Sequence, residues 1–228
     1  STASGIGSLI ASNNPEHTRR VFWELVDSRL FISWVSLFCI YFLVQPFICL
    51  WLGPEYKLSN NVVMLLTLQQ GITMNRTTVD SYLAGNGQFS DVWAPVVEGI
   101  LTFGLAYGFG AWLGLEGVLL GIIITQTIFV GIWKPYFLFV KGFKWRARDY
   151  FIPYTIRCTI LLCASVVYIY IFSLYDNSVI HSWHQWIIYS IVVMLFIVIS
   201  LFIPFFFLGG MKDFLKRMRG VVQGKIKA

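Results

Sequence analysis

Charge is what this sequence has least of. Only 12% of its 228 residues are Asp, Glu, Lys or Arg, where an ordinary soluble domain carries about a quarter. Histidine is scarcer still. His17, His181 and His184 stand away from any Cys or Glu group, so no metal-ligand spacing is present. The four cysteines, Cys39, Cys49, Cys158 and Cys163, fall inside apolar runs and read as small buried hydrophobes. There is no Ser/His/Asp set, no Cys/His pair and no phosphate loop, and the expectation is a protein that is not an enzyme and holds no cofactor or metal. The opening residues show neither an initiator Met nor a basic-then-apolar signal pattern. They resemble the tail of a helix whose beginning is missing, with Ala3, Gly5, Gly7 and Ser8 small enough for close helix contact.

Apolar residues take the place of charge: 57% of the chain, with a mean hydropathy of +0.70. One soluble core cannot hide that much apolar surface, whereas a bilayer solvates it. Crossing about 30 Å of hydrocarbon takes roughly 20 apolar residues in a helix. Six runs qualify, at 30–52, 62–83, 92–112, 117–140, 150–174 and 183–208. The predicted fold is an all-α integral membrane protein, a bundle of about six transmembrane helices with an interfacial C-terminal helix. Residues 1–29 read as the end of a truncated span and a linker, 30–140 as four spans of one lobe, 141–208 as two further spans, and 209–228 as a basic tail.

The net charge of +6 is clustered between the spans, a membrane pattern that gives no reason to expect a nucleic-acid partner. Arg19, Arg20 and Arg29 precede span one, Lys141, Lys144, Arg146 and Arg148 separate spans four and five, and Lys212, Lys216, Arg217, Arg219, Lys225 and Lys227 fill the tail. The opposite side has Lys57 alone. Positive residues mark the cytoplasm, which predicts a cytoplasmic C-terminus. Trp51, Trp112, Trp183 and Trp186 at the outer edge, and Trp34, Trp93, Trp133 and Trp145 at the inner one, suit interfacial belts. In the tail, Met211, Phe214, Leu215, Met218, Val221 and Val222 share a helical face, as an interfacial helix requires. A disordered basic tail is the alternative.

Ionisable residues within the spans carry the functional information, because hydrocarbon makes them expensive. They are Arg76 and Asp80 in span two, Glu98 in span three and Lys134 in span four. All four lie roughly 5 to 10 Å from the cytoplasmic end of their spans at 1.5 Å per residue. Two cations and two anions in one slab are expected to face one another. Gln69, Thr73, Arg76 and Asp80 also fall at helical spacing along one stripe of span two, with Gln70 and Thr77 beside it. Such a stripe belongs against a wet path or polar partners. In the functional reading Arg76 binds phosphate, for which its planar fork is suited, while Gln69 and Thr73 bond sugar hydroxyls. In the structural reading Arg76 and Asp80 pair at i,i+4 and Lys134 reaches to the interface. Arg157, near the inner boundary, is expected to snorkel. Asn75-Arg76-Thr77 matches a glycosylation acceptor within a span and is a chance match. Gly110, Gly114, Gly117 and Gly121 around the turn from span three to span four permit tight backbone approach. The external connections, 53–61, 113–116 and 175–182, are too short for a catalytic domain.

Several segments together resemble the polysaccharide-transport and O-antigen flippase family, within the superfamily that includes multidrug and toxin extruders. They are Ser-Gly-Ile-Gly-Ser-Leu-Ile-Ala at 4–11 with Glu16, Gln-Pro-Phe-Ile-Cys-Leu-Trp-Leu-Gly-Pro-Glu-Tyr at 45–56, Arg76 followed by Gly85-Asn86-Gly87-Gln88, Trp93-Ala-Pro-Val-Val-Glu98, and Gly114-Leu-Glu-Gly-Val-Leu-Leu-Gly121. The likeness covers residues 1–140; the last two spans are generic apolar helices. It implies a transporter of about fourteen spans in two lobes, of which this chain holds the second, working by alternating access. The implied partners are an undecaprenyl-diphosphate-linked glycan, membrane lipid and the N-terminal lobe of the same protein. The implied location is the bacterial inner membrane. Coupling to H+ or Na+ would fall to Asp80 or Glu98. The alternatives are a multidrug exporter, whose cavity for apolar cations should favour carboxylates over Arg and Lys, and a membrane enzyme of polysaccharide assembly.

Overall fold

The computed structural model describes residues 6, 7, 9, 10, 14–87, 91–174 and 180–222, the side chains of Val221 and Val222 excepted. Ala3, Gly5, Ser8, Gln88, Lys225 and Lys227, singled out above, lie outside the described residues. The protein is 89% helical with no strand among the described residues, and five helices are long and apolar enough to cross a membrane. It is an all-α membrane protein.

We label the helices α1 (Pro15–Trp51), α2 (Asn60–Gly85), α3 (Trp93–Leu113), α4 (Leu115–Gly142), α5 (Arg148–Ser173), α6 (Trp183–Phe207) and α7 (Gly210–Val222). The six long helices match the six apolar runs. α2 is the one outside the five apolar spans: its 26 residues suffice in length, but its polar stripe lowers its hydropathy.

α1 begins well before the apolar run at residue 30. Asn14 caps it by accepting from the His17 N–H at 3.0 Å, Pro15 occupies the first turn and Glu16 adds an acidic group there, a combination that starts helices. The stretch expected to be a linker is therefore helical from Pro15. At 37 residues, α1 is about 55 Å long, so its first few turns extend beyond what a bilayer of about 30 Å needs.

α1 is also the hub of the bundle. Phe22, Val26, Leu30, Ser33 and Leu37 form a buried row on it. That row meets α2 at Tyr82, Asn75 and Gly71. α6 carries a buried row of its own, Tyr189, Val193, Ile197, Leu201 and Phe205 at strict four-residue spacing, and touches α1 where Phe31 meets the rings of Phe202 and Phe205. α5 joins the pair through Tyr168, whose ring packs on Phe38 at 4.9 Å and whose hydroxyl bonds Ser200. On the other side of α1, α2 leads to the α3–α4 hairpin.

α2 and α4 run side by side in one direction: the Ser59 hydroxyl donates to Glu116 at 3.0 Å near their starts, and Lys134 meets Asp80 near their ends. Gly114, at φ 61°, is the only residue between α3 and α4. A Cβ at Gly117 would lie 2.0 Å from the Phe109 carbonyl oxygen, and one at Gly121 2.5 Å from the Ala106 nitrogen. The glycines thus permit the backbone contact that their spacing suggested. α4 contains two π-helical stretches, Thr127–Trp133 and Leu138–Gly142, on either side of a short α-helical turn with Lys134 and Pro135 at its start. Pro135 has no N–H to give to a preceding carbonyl, and π turns are the wider alternative in its neighbourhood.

Candidate functional site: four charges on three helices

Arg76, Asp80, Glu98 and Lys134 converge. Arg76 Nε donates to Asp80 Oδ2 at 3.0 Å, and Arg76 Nη1 to Glu98 Oε1 at 3.3 Å. Lys134 Nζ donates to Asp80 Oδ1 at 2.6 Å. The order Glu98–Arg76–Asp80–Lys134 alternates in sign and joins α3, α2 and α4. Two carboxylates neutralise two cations, which is how charges persist in a low-dielectric slab.

The network has an open part and a closed part. The side chains of Arg76 and Asp80 are 32% and 37% exposed, those of Glu98 and Lys134 only 12% and 10%. Lys134 does not reach outward to an interface; its ammonium is held inward on Asp80. The i,i+4 pair of the structural reading does exist, yet Arg76 also bridges to a second helix. The Arg76 guanidinium and the Asp80 carboxylate are the two groups of the network that a solute can reach.

Gln69 and Thr73 continue the stripe. Both are half-buried; the Thr73 hydroxyl donates to the Gln69 carbonyl at 3.0 Å, and the Gln69 amide lies 3.4 Å from Thr73 Oγ1. Among the described residues they bond to each other and not to the four charges. Asn75 faces α1, where the Ser33 hydroxyl lies 3.4 Å from its Oδ1. On α4, Gln126 Oε1 and Trp133 Nε1 are buried without a partner among the described residues. Such atoms mark positions that water or a ligand completes.

Sequence reasoning missed a second charged cluster, at the opposite side of α1. Arg20, Glu24 and Asp27 recur at i, i+4 and i+7, the face of a helix. Asp27 is fully buried and takes both arms of Arg157 from α5, with Nη2–Oδ2 at 2.9 Å. The Arg157 guanidinium also lies 4.2 Å from the Trp23 ring centroid and donates to the Pro153 carbonyl. Arg157 therefore does not snorkel, because a carboxylate inside the bundle satisfies it. Glu24 receives Arg217 at 3.0 Å, and Arg20 Nε holds Asp213 at 2.7 Å. The Arg20 hydrogen bond lowers the Asp213 carboxyl below its ordinary value. Arg29 on α1 donates to Thr77 at 2.7 Å, adding a cation beside the stripe on α2. The signal that would have found these residues is the Asn-Pro-Glu start at 14–16, which makes one amphipathic helix of the stretch that follows.

Together, the apolar helices and the charges shared between them define a multi-pass all-α membrane protein with polar groups inside its bundle. No family model, curated protein or solved structure matches the chain.

Proposed function

We infer that this chain is the second lobe of a flippase. It would carry an undecaprenyl-diphosphate-linked oligosaccharide across the bacterial inner membrane by alternating access, with its C-terminus in the cytoplasm. The observation that carries this reading is Arg76: a partly exposed guanidinium on a span-borne polar stripe, held by one carboxylate of its own helix and one of the next. A diphosphate offers pairs of anionic oxygens to which a guanidinium fork donates as it does to carboxylates. It can therefore replace one of them without leaving the cation unpaired. Gln69 and Thr73, further along the stripe, would meet the sugars. Lys134 holds Asp80 in place, and Asp80 or Glu98 would take up a coupling H+ or Na+ when phosphate displaces it. The sequence resemblance supports the same reading and supplies the preceding lobe against which this one would rock. Balanced charge across the site counts against a multidrug exporter.

The test is expression of the full-length parent carrying Arg76→Ala or Arg76→Lys in a strain that lacks the parent gene. Losing a charge-assisted, two-armed contact costs about 1.5–3 kcal/mol, so surface glycan made through Arg76→Ala should fall about tenfold or more. Arg76→Lys should rescue only part of it, since one ammonium cannot span two acceptors as the fork does. Normal surface glycan from Arg76→Ala at equal protein level removes Arg76 from the transport path.

A further inference from the structure

The C-terminal helix is fastened to α1 at three places. Its first residue, Gly210, packs directly against Asp27 and the Trp23 backbone. The approach is so close that a Cβ there would stand 2.3 Å from Asp27 Oδ2 and 2.6 Å from the Trp23 carbonyl oxygen. One turn on, Asp213 is gripped by Arg20, and one turn further Arg217 reaches Glu24. Met211 is buried beneath them at 3% exposure. α7 thereby closes over the Asp27–Arg157 pair.

These fastenings are not all permanent in character. Arg20 is exposed, and its side chain and that of Arg217 keep 60% and 42% of their surface open to solvent, where ion pairs contribute little. The rest of α7 is built for a different partner. Lys216 and Arg219 are exposed and Lys212 is half-exposed, all outside the ion pairs with α1. Leu215 and Met218 present apolar surface at 37% and 49% exposure. Lys212 lies 5.0 Å from the Phe206 ring centroid at the end of α6, so cations and apolar side chains alternate where the last span ends. A helix of this composition adsorbs to anionic headgroups, each Lys or Arg adding to the attraction.

We propose that α7 is a latch with two docking places, the charged end of α1 and the surface of an anionic bilayer, so that lipid charge sets how much of the protein is latched. In the latched place Arg217 and Asp213 are spent on α1. In the lipid-bound place Arg217 joins Lys212, Lys216 and Arg219 facing phosphate, and Glu24 and the Asp27–Arg157 pair are uncovered. The proposal stands apart from what the protein carries.

His17, Val21 and Lys216 line one hollow of about 230 Å³ between α1 and α7, which supplies the probe. With Cys39, Cys49, Cys158 and Cys163 replaced by Ser, the chain carrying His17→Cys and Lys216→Cys is placed in nanodiscs of phosphatidylcholine alone or with one third phosphatidylglycerol. A short bismaleimide then reports latching. Crosslinking should be efficient in the neutral discs and fall severalfold in the anionic ones. Asp213→Asn should lower it already in neutral lipid. Should the first pair not fold, Met211→Cys gives a second readout: buried when α7 is docked on α1, it should react with maleimide severalfold faster in the anionic discs than in the neutral ones. Equal crosslinking in both lipids, or no effect of Asp213→Asn, would overturn the latch and leave α7 a fixed part of the bundle.

Discussion

Arg157 of α5 lays two guanidinium nitrogens on the carboxylate of Asp27 of α1, and neither side chain sees solvent to any extent, at 6% and 0% exposure. Removing one partner of a buried pair of this kind costs far more than replacing both. Arg157→Met alone should destabilise the protein by about 3–5 kcal/mol, because Asp27 is left charged and unpaired. The double variant Arg157→Met with Asp27→Leu should recover most of that loss. Thermal unfolding in detergent of the two variants side by side checks the prediction, and equal damage from both would count against it.

The α3–α4 contact makes an equally specific demand. Gly121→Val must push Ala106 away, since even a Cβ would come within 2.5 Å of its nitrogen. Overpacking of this sort costs about 1–3 kcal/mol. Gly99 on α3 has open space at the same test, so Gly99→Ala should be neutral. The measurement is the unfolding midpoint of each, together with disulfide trapping between α3 and α4.

Arg20 holds Asp213 ionised by hydrogen bonding to its carboxylate, so the folded-state value lies below the unfolded one. A depressed carboxyl contributes stability above its unfolded value and loses that contribution as pH falls through the folded one. For an Asp the loss belongs below about pH 4. Unfolding midpoints of the wild type and Asp213→Asn should therefore run parallel from pH 7 to 5. They should converge below pH 4, where the wild type gives up its advantage. A gap that persists into acid would show that Asp213 acts through something other than its charge.

What was legible in the sequence follows from one asymmetry of solvents. Hydrocarbon tolerates apolar runs and punishes charge, so the run lengths located the long helices, and the scarcity of charge inside them brought Arg76, Asp80, Glu98 and Lys134 together before any coordinates. Where water is available the same reasoning weakens. Glu24 and Asp27 sit before the first apolar run, where charge is cheap, and only the helix start at 14–16 marked them as part of α1 and not of a solvated linker. Arg157 was misread for that reason: its partner was counted outside the bundle. The π turns around Lys134 were illegible for another cause, since Pro135 announces a missing N–H but not how the neighbouring carbonyls rearrange.

With Gly114 alone joining α3 to α4, and the Gly117 and Gly121 backbones pressed against Phe109 and Ala106, the folded arms can shift only as one rigid hairpin. Epitope tags or reporter fusions spliced at that corner would prise the two backbones apart, and the turn is a poor place to map sidedness.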